Sequence, residues 1–286
     1  AMTGDGVNDA PALKSADIGV AMGITGTEVT KEAARMILAD DNFATIVKAV
    51  HIGRGIFGNI REFLRYLLSS NMGEVLTVFL GVLGAGVIGL NAGPEAAAGA
   101  LVLPLLATQI LWINLITDSA PALALGMDAP DDDVMERPPR QASERVVDGR
   151  MWRQVTLSGL VMALSTLLTM DLFLPGGLLP NLLGSDTHDL TLARTAGFTV
   201  LVMAQLFNCL NMRSDHFSAF HGLWSNGWLW AALALSFVLQ VAVVELSWLN
   251  LSFGTTPMSL PQWLACIGMG SLVLWYGEIE KFIAKM

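Results

Sequence analysis

The chain has 286 residues, of which 53% are hydrophobic and only 14% charged, against about 25% charged in an ordinary soluble domain; its mean hydropathy is +0.56. A formal net charge of −9, with no long basic stripe, excludes nucleic acid as a partner. The two cysteines, Cys209 and Cys266, both lie in apolar runs, which sets aside a structural disulfide, a zinc site and a thiol nucleophile.

Residues 1–10 are polar and glycine-rich, with no basic region before an apolar core, so no secretory signal opens the chain. Gly4 and Gly6 let the backbone turn tightly and approach an anion, Asp5 and Asp9 offer the hard oxygens that Mg²⁺ prefers, and Asn8 can donate to a phosphate oxygen. A glycine turn with ordinary Asx capping has the same composition. Downstream, 17–22 predicts a short buried strand, 27–38 a helix capped near Thr25 or Thr27, and 42–50 the start of another helix. Residues 1–50 therefore read as the end of an α/β unit, followed by a stalk over 51–65.

Long apolar runs predict a membrane domain over 63–286 with spans at 63–90, 102–127, 152–175, 192–212, 227–249 and 261–283, each near the ~20 residues that cross a bilayer. Charge sorts the connections. Arg137, Arg140, Arg145 and Arg150 lie in 128–150, Arg213 opens 213–226, and Lys281 and Lys285 end the tail; 91–101 and 176–191 contain neither Lys nor Arg. The positive-inside rule puts the first set, with residues 1–50 and the C-terminus, in the cytoplasm. The histidines, His51, His188, His216 and His221, fall outside the spans without metal-ligand spacing and read as solvated. Asp171 and Glu245 lie near span ends and read as interfacial.

Within the spans stands a second set of polar residues. Asn71 and Glu74 are spaced i, i+3 in the first, and Asn114, Thr117 and Asp118 are spaced i, i+3, i+4 in the second. Helix-to-helix hydrogen bonding accounts for such residues in many bundles. Carboxylates are expensive there unless paired or set in a wet cavity, so two on adjacent spans point to a cation path. Pro121 lacks the N–H that would bond the Thr117 carbonyl, which leaves that oxygen loose beside Asp118. A set of oxygens alone suits Ca²⁺ better than metals that want sulfur or imidazole.

The opening run Thr3-Gly4-Asp5-Gly6-Val7-Asn8-Asp9-Ala10-Pro11-Ala12-Leu13-Lys14 matches the TGDGVNDAPALK signature of the P-type ATPases at every position. Ser69-Ser70-Asn71-Met72-Gly73-Glu74-Val75, the run from Leu111 to Asp118, and Pro121-Ala122-Leu123-Ala124-Leu125-Gly126 resemble the fifth and sixth helices of the calcium pumps of sarcoplasmic reticulum type. The stretch from Asp131 to Arg140 is similar to the loop that follows them. The resemblance implies a mainly α protein: a six-helix transmembrane bundle behind the C-terminal part of an α/β, HAD-like phosphorylation domain. It further implies that Asp5 helps hold catalytic Mg²⁺, that Asn8 and Asp9 order the phosphorylation site, and that Asn71, Glu74, Asn114, Thr117 and Asp118 bind transported Ca²⁺. ATP, the lipid bilayer and the N-terminal portion of the same pump are the other partners implied.

At Gln205 the sarcoplasmic type has a glutamate. An amide still offers a carbonyl oxygen to Ca²⁺ but no charge, so the expectation is one Ca²⁺ per cycle. Plasma-membrane-type pumps also have glutamine there, yet lack a carboxylate at the place of Glu74. The DKTGT motif with the phosphorylated aspartate, the TGE loop, the nucleotide-binding domain and the fourth helix have no counterpart in the sequence, so the expected activity belongs to a longer protein and not to this portion alone. The alternatives are a P-type pump for Mn²⁺ or for Na⁺ and K⁺, and a non-catalytic channel or regulatory fragment.

Overall fold

The computed structural model describes residues 1–92, 102–130, 133–140, 145–175, 177–179, 183, 189–214 and 217–284. The Ala/Gly-rich tract 92–100, beyond the backbone of Ala92, lies outside them, as do His188, His216 and Lys285. Two units are distinguished, one of residues 1–57 with 130–138 and one of 58–129 with 139–286.

The first unit is built on three short parallel strands in the order β1 (Met2–Gly4), β2 (Gly19–Met22) and β3 (Met36–Leu38). Between β1 and β2 lies helix α1 (Ala10–Ser15), and between β2 and β3 helix α2 (Glu28–Ala33). The single helix expected over 27–38 is corrected. Thr27 caps α2, its hydroxyl accepting from the Thr30 N–H, but the helix stops at Ala33 and Met36-Ile37-Leu38 pairs with β2. Leu38, 3% exposed, fills the sheet beside Val20 and Met22; that packing decides the segment, as it does for most strand residues. Asp41 closes the far end, its carboxylate accepting from the N–H groups of Gly23, Ile24 and Thr25 and from the Thr25 hydroxyl. Those donors, the Ile24 N–H first, hold Asp41 below the usual carboxylate range.

Helix α3 (Phe43–Leu83) runs unbroken for 41 residues. From its first part Arg54 donates to the carbonyls of Val134 at 2.9 Å and Arg137 at 2.8 Å, which fastens 133–138 within the first unit.

The second unit is helical. Helix α4 (Ala107–Trp112) leads into a π-turn at Ile113–Thr117 and then α5 (Ser119–Leu125). There follow α6 (Gly149–Phe173), α7 (Leu190–Met212), α8 (Gly227–Glu245), α9 (Ser247–Phe253), α10 (Leu260–Gly270) and α11 (Leu272–Ala284). Among the described residues four helices, α3, α6, α7 and α8, are long and apolar enough to cross a membrane. The expected spans 102–127 and 261–283 are interrupted, one by the π-turn and Pro121, the other at Ser271 between α10 and α11. In the most apolar stretch of α7, 72% is buried, against 39% in α3 and α8, so α7 is the centre of the bundle.

Small residues bring the other helices close. A Cβ on Gly159 of α6 would lie 3.0 Å from the backbone nitrogen of Gly73 on α3, and one on Gly270 of α10 would lie 3.0 Å from that of Ala204 on α7. Two residues read as interfacial, both near helix ends, also act as ties. Asp171 is fully buried and accepts from the N–H groups of Leu178 and Leu179, while Glu245 accepts from the Trp263 indole and the Met258 N–H.

Candidate functional site

In the first unit the acidic loop closes on itself. The Asp9 carboxylate accepts from the N–H groups of Asp5 at 3.1 Å and Gly6 at 3.0 Å. A Cβ on Gly4 would sit 2.5 Å from the Asp9 Cβ, so glycine is required there for close approach. The Asp5 carbonyl is held by the Thr27 N–H at 2.9 Å. Asp5 and Asn8 themselves are exposed. The exposed Asp5 carboxylate, on a loop fixed by Asp9, is a hard oxygen donor of the type Mg²⁺ prefers.

In the second unit the polar residues of three helices meet. Glu74 of α3 is 4% exposed and Asp118, between the π-turn and α5, is 1% exposed. The Asn114 amide donates to Glu74 Oε2 at 2.6 Å. From α7 the Gln205 amide donates to Glu74 Oε1 at 3.1 Å. Asp118 Oδ1 accepts from the Tyr66 hydroxyl at 2.9 Å. Among the described residues the donors to both carboxylates are therefore neutral.

Two expected members stand apart. Asn71 is exposed, and its amide donates to the Leu67 carbonyl of its own helix at 2.8 Å. The i, i+3 spacing of Asn71 and Glu74 thus does not bring both into the buried cluster. Residues three apart differ by about 60° around a helix, and here the edge of the buried face of α3 runs between them. Tyr66, Ser70, Glu74 and Thr77, all 4% exposed or less, mark that face. Thr117 is 1% exposed, but its hydroxyl bonds the Ile113 carbonyl at 3.1 Å. The Thr117 carbonyl, expected to be loose, accepts from Ser236 of α8 at 3.1 Å. Pro121 leaves that oxygen without a helical donor, and Ser236 supplies one.

Sequence reasoning missed Tyr66, Ser69, Ser70, Asn208 and Ser236. The spacing of Tyr66, Ser70 and Glu74 at i, i+4, i+8 was a usable signal, as was Asn208 three residues beyond Gln205. Asn208 donates to the Ser69 hydroxyl at 2.7 Å. No spacing along the chain could have paired Ser236 with Thr117, 119 residues away.

The helical unit also carries the match to known proteins. The sequence profile of the family described as cation transporting ATPase, C-terminus, covers residues 102–283, nearly all of the chain beyond α3. This chain belongs to that family. A calcium-transporting ATPase of Bacillus subtilis (strain 168) is 41% identical over 272 residues, covering 95% of this chain and 28% of the relative. Calcium-transporting ATPase 4, endoplasmic reticulum-type, of Arabidopsis thaliana is 36% identical and a probable calcium-transporting ATPase of Trypanosoma brucei brucei 38% identical, each covering 100% of this chain and 30% of the relative. The chain thus spans less than a third of the length of these cation transporting ATPases.

Proposed function

We propose that the chain forms the ion-binding membrane part of an ATP-driven pump that exports Ca²⁺ from the cytoplasm through an aspartyl-phosphate intermediate. The observation that carries this reading is the pair of carboxylates, Glu74 and Asp118, 4% and 1% exposed, with only neutral donors upon them among the described residues. Two acids in an apolar bundle without a basic partner make a site whose charge is completed by a cation. The oxygen-only set favours Ca²⁺ over softer metals, and the relatives, calcium-transporting ATPases, point to the same ion.

Asn114 and Gln205 hold Glu74 through their N–H groups; a half-turn of either amide presents its oxygen instead. Asn71 and Thr117 complete the ligand set of the resembled pumps. Asn71 joins by a turn of α3, and Thr117 by releasing the Ile113 carbonyl. Gln205 brings no charge, and we assign one Ca²⁺ per cycle. Asp5 would hold Mg²⁺, with Asn8 and Asp9 ordering the loop. Bound there, Mg²⁺ would offset phosphate charge during phosphoryl transfer. The phosphorylated aspartate and most of the ATP site belong to the N-terminal portion of the longer protein. Residues 1–50 would complete its HAD-like domain, with six crossings behind them and both ends of the chain in the cytoplasm.

The test is ATP hydrolysis by the full-length protein against a cation series. Ca²⁺ should stimulate the wild type and fail to stimulate Asp118→Asn. Full stimulation of that variant would refute the assignment. Gln205→Glu should sharpen the Ca²⁺ dependence, and an unchanged curve would remove Gln205 from the site.

A further inference from the structure

From Leu246 to Gly277 the chain has no charged residue, although this stretch includes the connection between α8 and α10. Lys, Glu, Arg and Asp are the usual covering of a segment that meets water. Here the connection folds into the short helix α9, set off from α8 by the single extended residue Leu246 and ended by Gly254 in the left-handed conformation at φ 60°.

Helix α9 has two apolar sides. Leu249 and Phe253, spaced i, i+4, pack on the bundle core. The Phe253 ring meets Trp112 of α4 edge-on, with 4.9 Å between centroids, and the Phe253 carbonyl accepts from Gln109 of α4 at 3.2 Å. A Cβ on Gly254 would lie 2.6 Å from Leu106 Cδ1, so the backbone itself closes on the start of that span. The other side faces outward. Trp248 is 70% exposed and Leu251 91%, the highest value of any large apolar side chain among the described residues.

An outward apolar face needs a partner, and its surroundings fit a phospholipid leaflet. Leu235 and Val238 of α8, 53% and 60% exposed, lead into it, and Leu260 and Leu264 of α10, 71% and 60% exposed, follow it. The outer side of α9 thus continues the apolar surfaces that two expected spans turn outward. Tryptophan among small polar residues, here Ser247, Asn250 and Ser252, is the composition of the headgroup level. We infer that α9 lies in the headgroup–acyl boundary of the leaflet reached by the end of α8, with Trp248 and Leu251 in lipid, and that its inner side ties this leaflet to α4 and so to the interrupted span that carries Asp118. With no cation on α9, a neutral phosphatidylcholine leaflet suffices. A change in bilayer thickness displaces α9 against the bundle, and Phe253 passes that displacement to α4. The lipid contact stands apart from the calcium reading; the effect of the tie on Ca²⁺ rests on it.

A nitroxide on Leu251→Cys tests the lipid contact, in full-length protein whose other reactive cysteines are replaced, reconstituted in phosphatidylcholine vesicles. Molecular oxygen, which concentrates in lipid, should relax the label more strongly than a water-soluble nickel chelate. The order should reverse for Arg140→Cys, an exposed loop residue. Dominance of nickel at Leu251 puts α9 in water, and shielding from both agents puts it under protein; either overturns the inference. The tie is read from Ca²⁺-stimulated ATP hydrolysis in short-chain against long-chain phosphatidylcholine. The half-saturating Ca²⁺ concentration of the wild type should shift several-fold with chain length, and the shift should shrink in Phe253→Ala and in Leu251→Ser. Leu251 is 91% exposed, so its serine variant spares the protein core and keeps the test sharp where Phe253→Ala disturbs folding. No shift in the wild type, or a full shift in Leu251→Ser, overturns the tie. Absence of Ca²⁺ stimulation in every lipid, with the nitroxide still reporting oxygen, would instead refute the calcium reading and leave α9 in the leaflet.

Discussion

Single side chains in this protein are decided by which face of a helix they occupy, and α3 shows how narrow the margin is. Ser70 and Asn71 are neighbours in sequence, yet Ser70 is buried while Asn71 is exposed and bonds its own backbone. Polarity alone could not separate them, because Asn71 is the more obvious ligand. Two other residues allow direct tests of stability. Asp128 and Arg213 pair at 2.9 Å with side chains 7% and 10% exposed. Removing Asp128 leaves the Arg213 charge with only the neutral Gly222 carbonyl and Ser225 hydroxyl, so Asp128→Ala should cost about 3 kcal/mol. Unfolding in detergent would measure it, and Asp128→Leu combined with Arg213→Met should recover most of the loss. Asp148 caps α6, accepting from the Met151 N–H at 2.7 Å and from Arg61 at 3.1 Å. The Met151 N–H first, and Arg61 after it, hold that carboxyl below its ordinary value. A depressed carboxylate contributes its stability above the unfolded pKa and loses it as pH falls through the folded one. Asp148→Ala should therefore cost about 1 kcal/mol near neutral pH. The difference from wild type should close below roughly pH 4; a gap that stays constant down to pH 2 would show that the charged form contributes nothing.

At the scale of elements, long apolar runs were legible and their interruptions were not. Three expected spans, 152–175, 192–212 and 227–249, correspond to α6, α7 and α8 within a few residues. The run 102–127 reads as one apolar stretch, but its geometry changes twice within nineteen residues, from α4 to the π-turn and from the π-turn to α5. Hydropathy carries no information about which carbonyl a helix N–H selects. Pro121 was the visible signal, and it correctly marked the Thr117 carbonyl as unclaimed within the helix; the partner on α8 was invisible. Strand β3 was missed for a related reason, since a tripeptide has no period to read. The contact between α3 and α6 gives a prediction at this scale. Gly159→Leu would force the helices apart beside Glu74, because a Cβ there meets Met72 at 2.7 Å and the Gly73 backbone at 3.0 Å. Overpacking of this kind should destabilise the protein by roughly 1–3 kcal/mol and weaken Ca²⁺ binding as well. Gly53→Ala is the contrasting case, since nothing lies within 4 Å of its Cβ. It should stabilise α3 by about 0.5–1 kcal/mol, since alanine is the better helix former. Equal effects from the two glycines would show that helix propensity, not contact, governs both.

For the molecule as a whole, composition indicated a membrane protein before any motif was considered, and the orientation expected from the charge asymmetry of the loops is one that labelling can check. Cys209 and Cys266 are buried, so within this portion a single introduced cysteine should report alone. Arg140→Cys and Ser225→Cys should react from the cytoplasmic face of sealed vesicles and Leu178→Cys from the opposite one. Labelling of all three from one side would reverse the assigned crossings. What the sequence could not reveal is how the polar residues of separate helices converge, because that depends on the rotation of each helix about its own axis. The π-turn at Ile113–Thr117 bears on the same quantity. Its Asp118 N–H reaches back to Ile113, five residues instead of four, so the chain there stores one residue of slack. Taking up that slack would advance everything downstream by about 100°, swinging Asp118 past the α3 acceptors without breaking any connection of the chain, much as a thread advances one notch when a screw is turned.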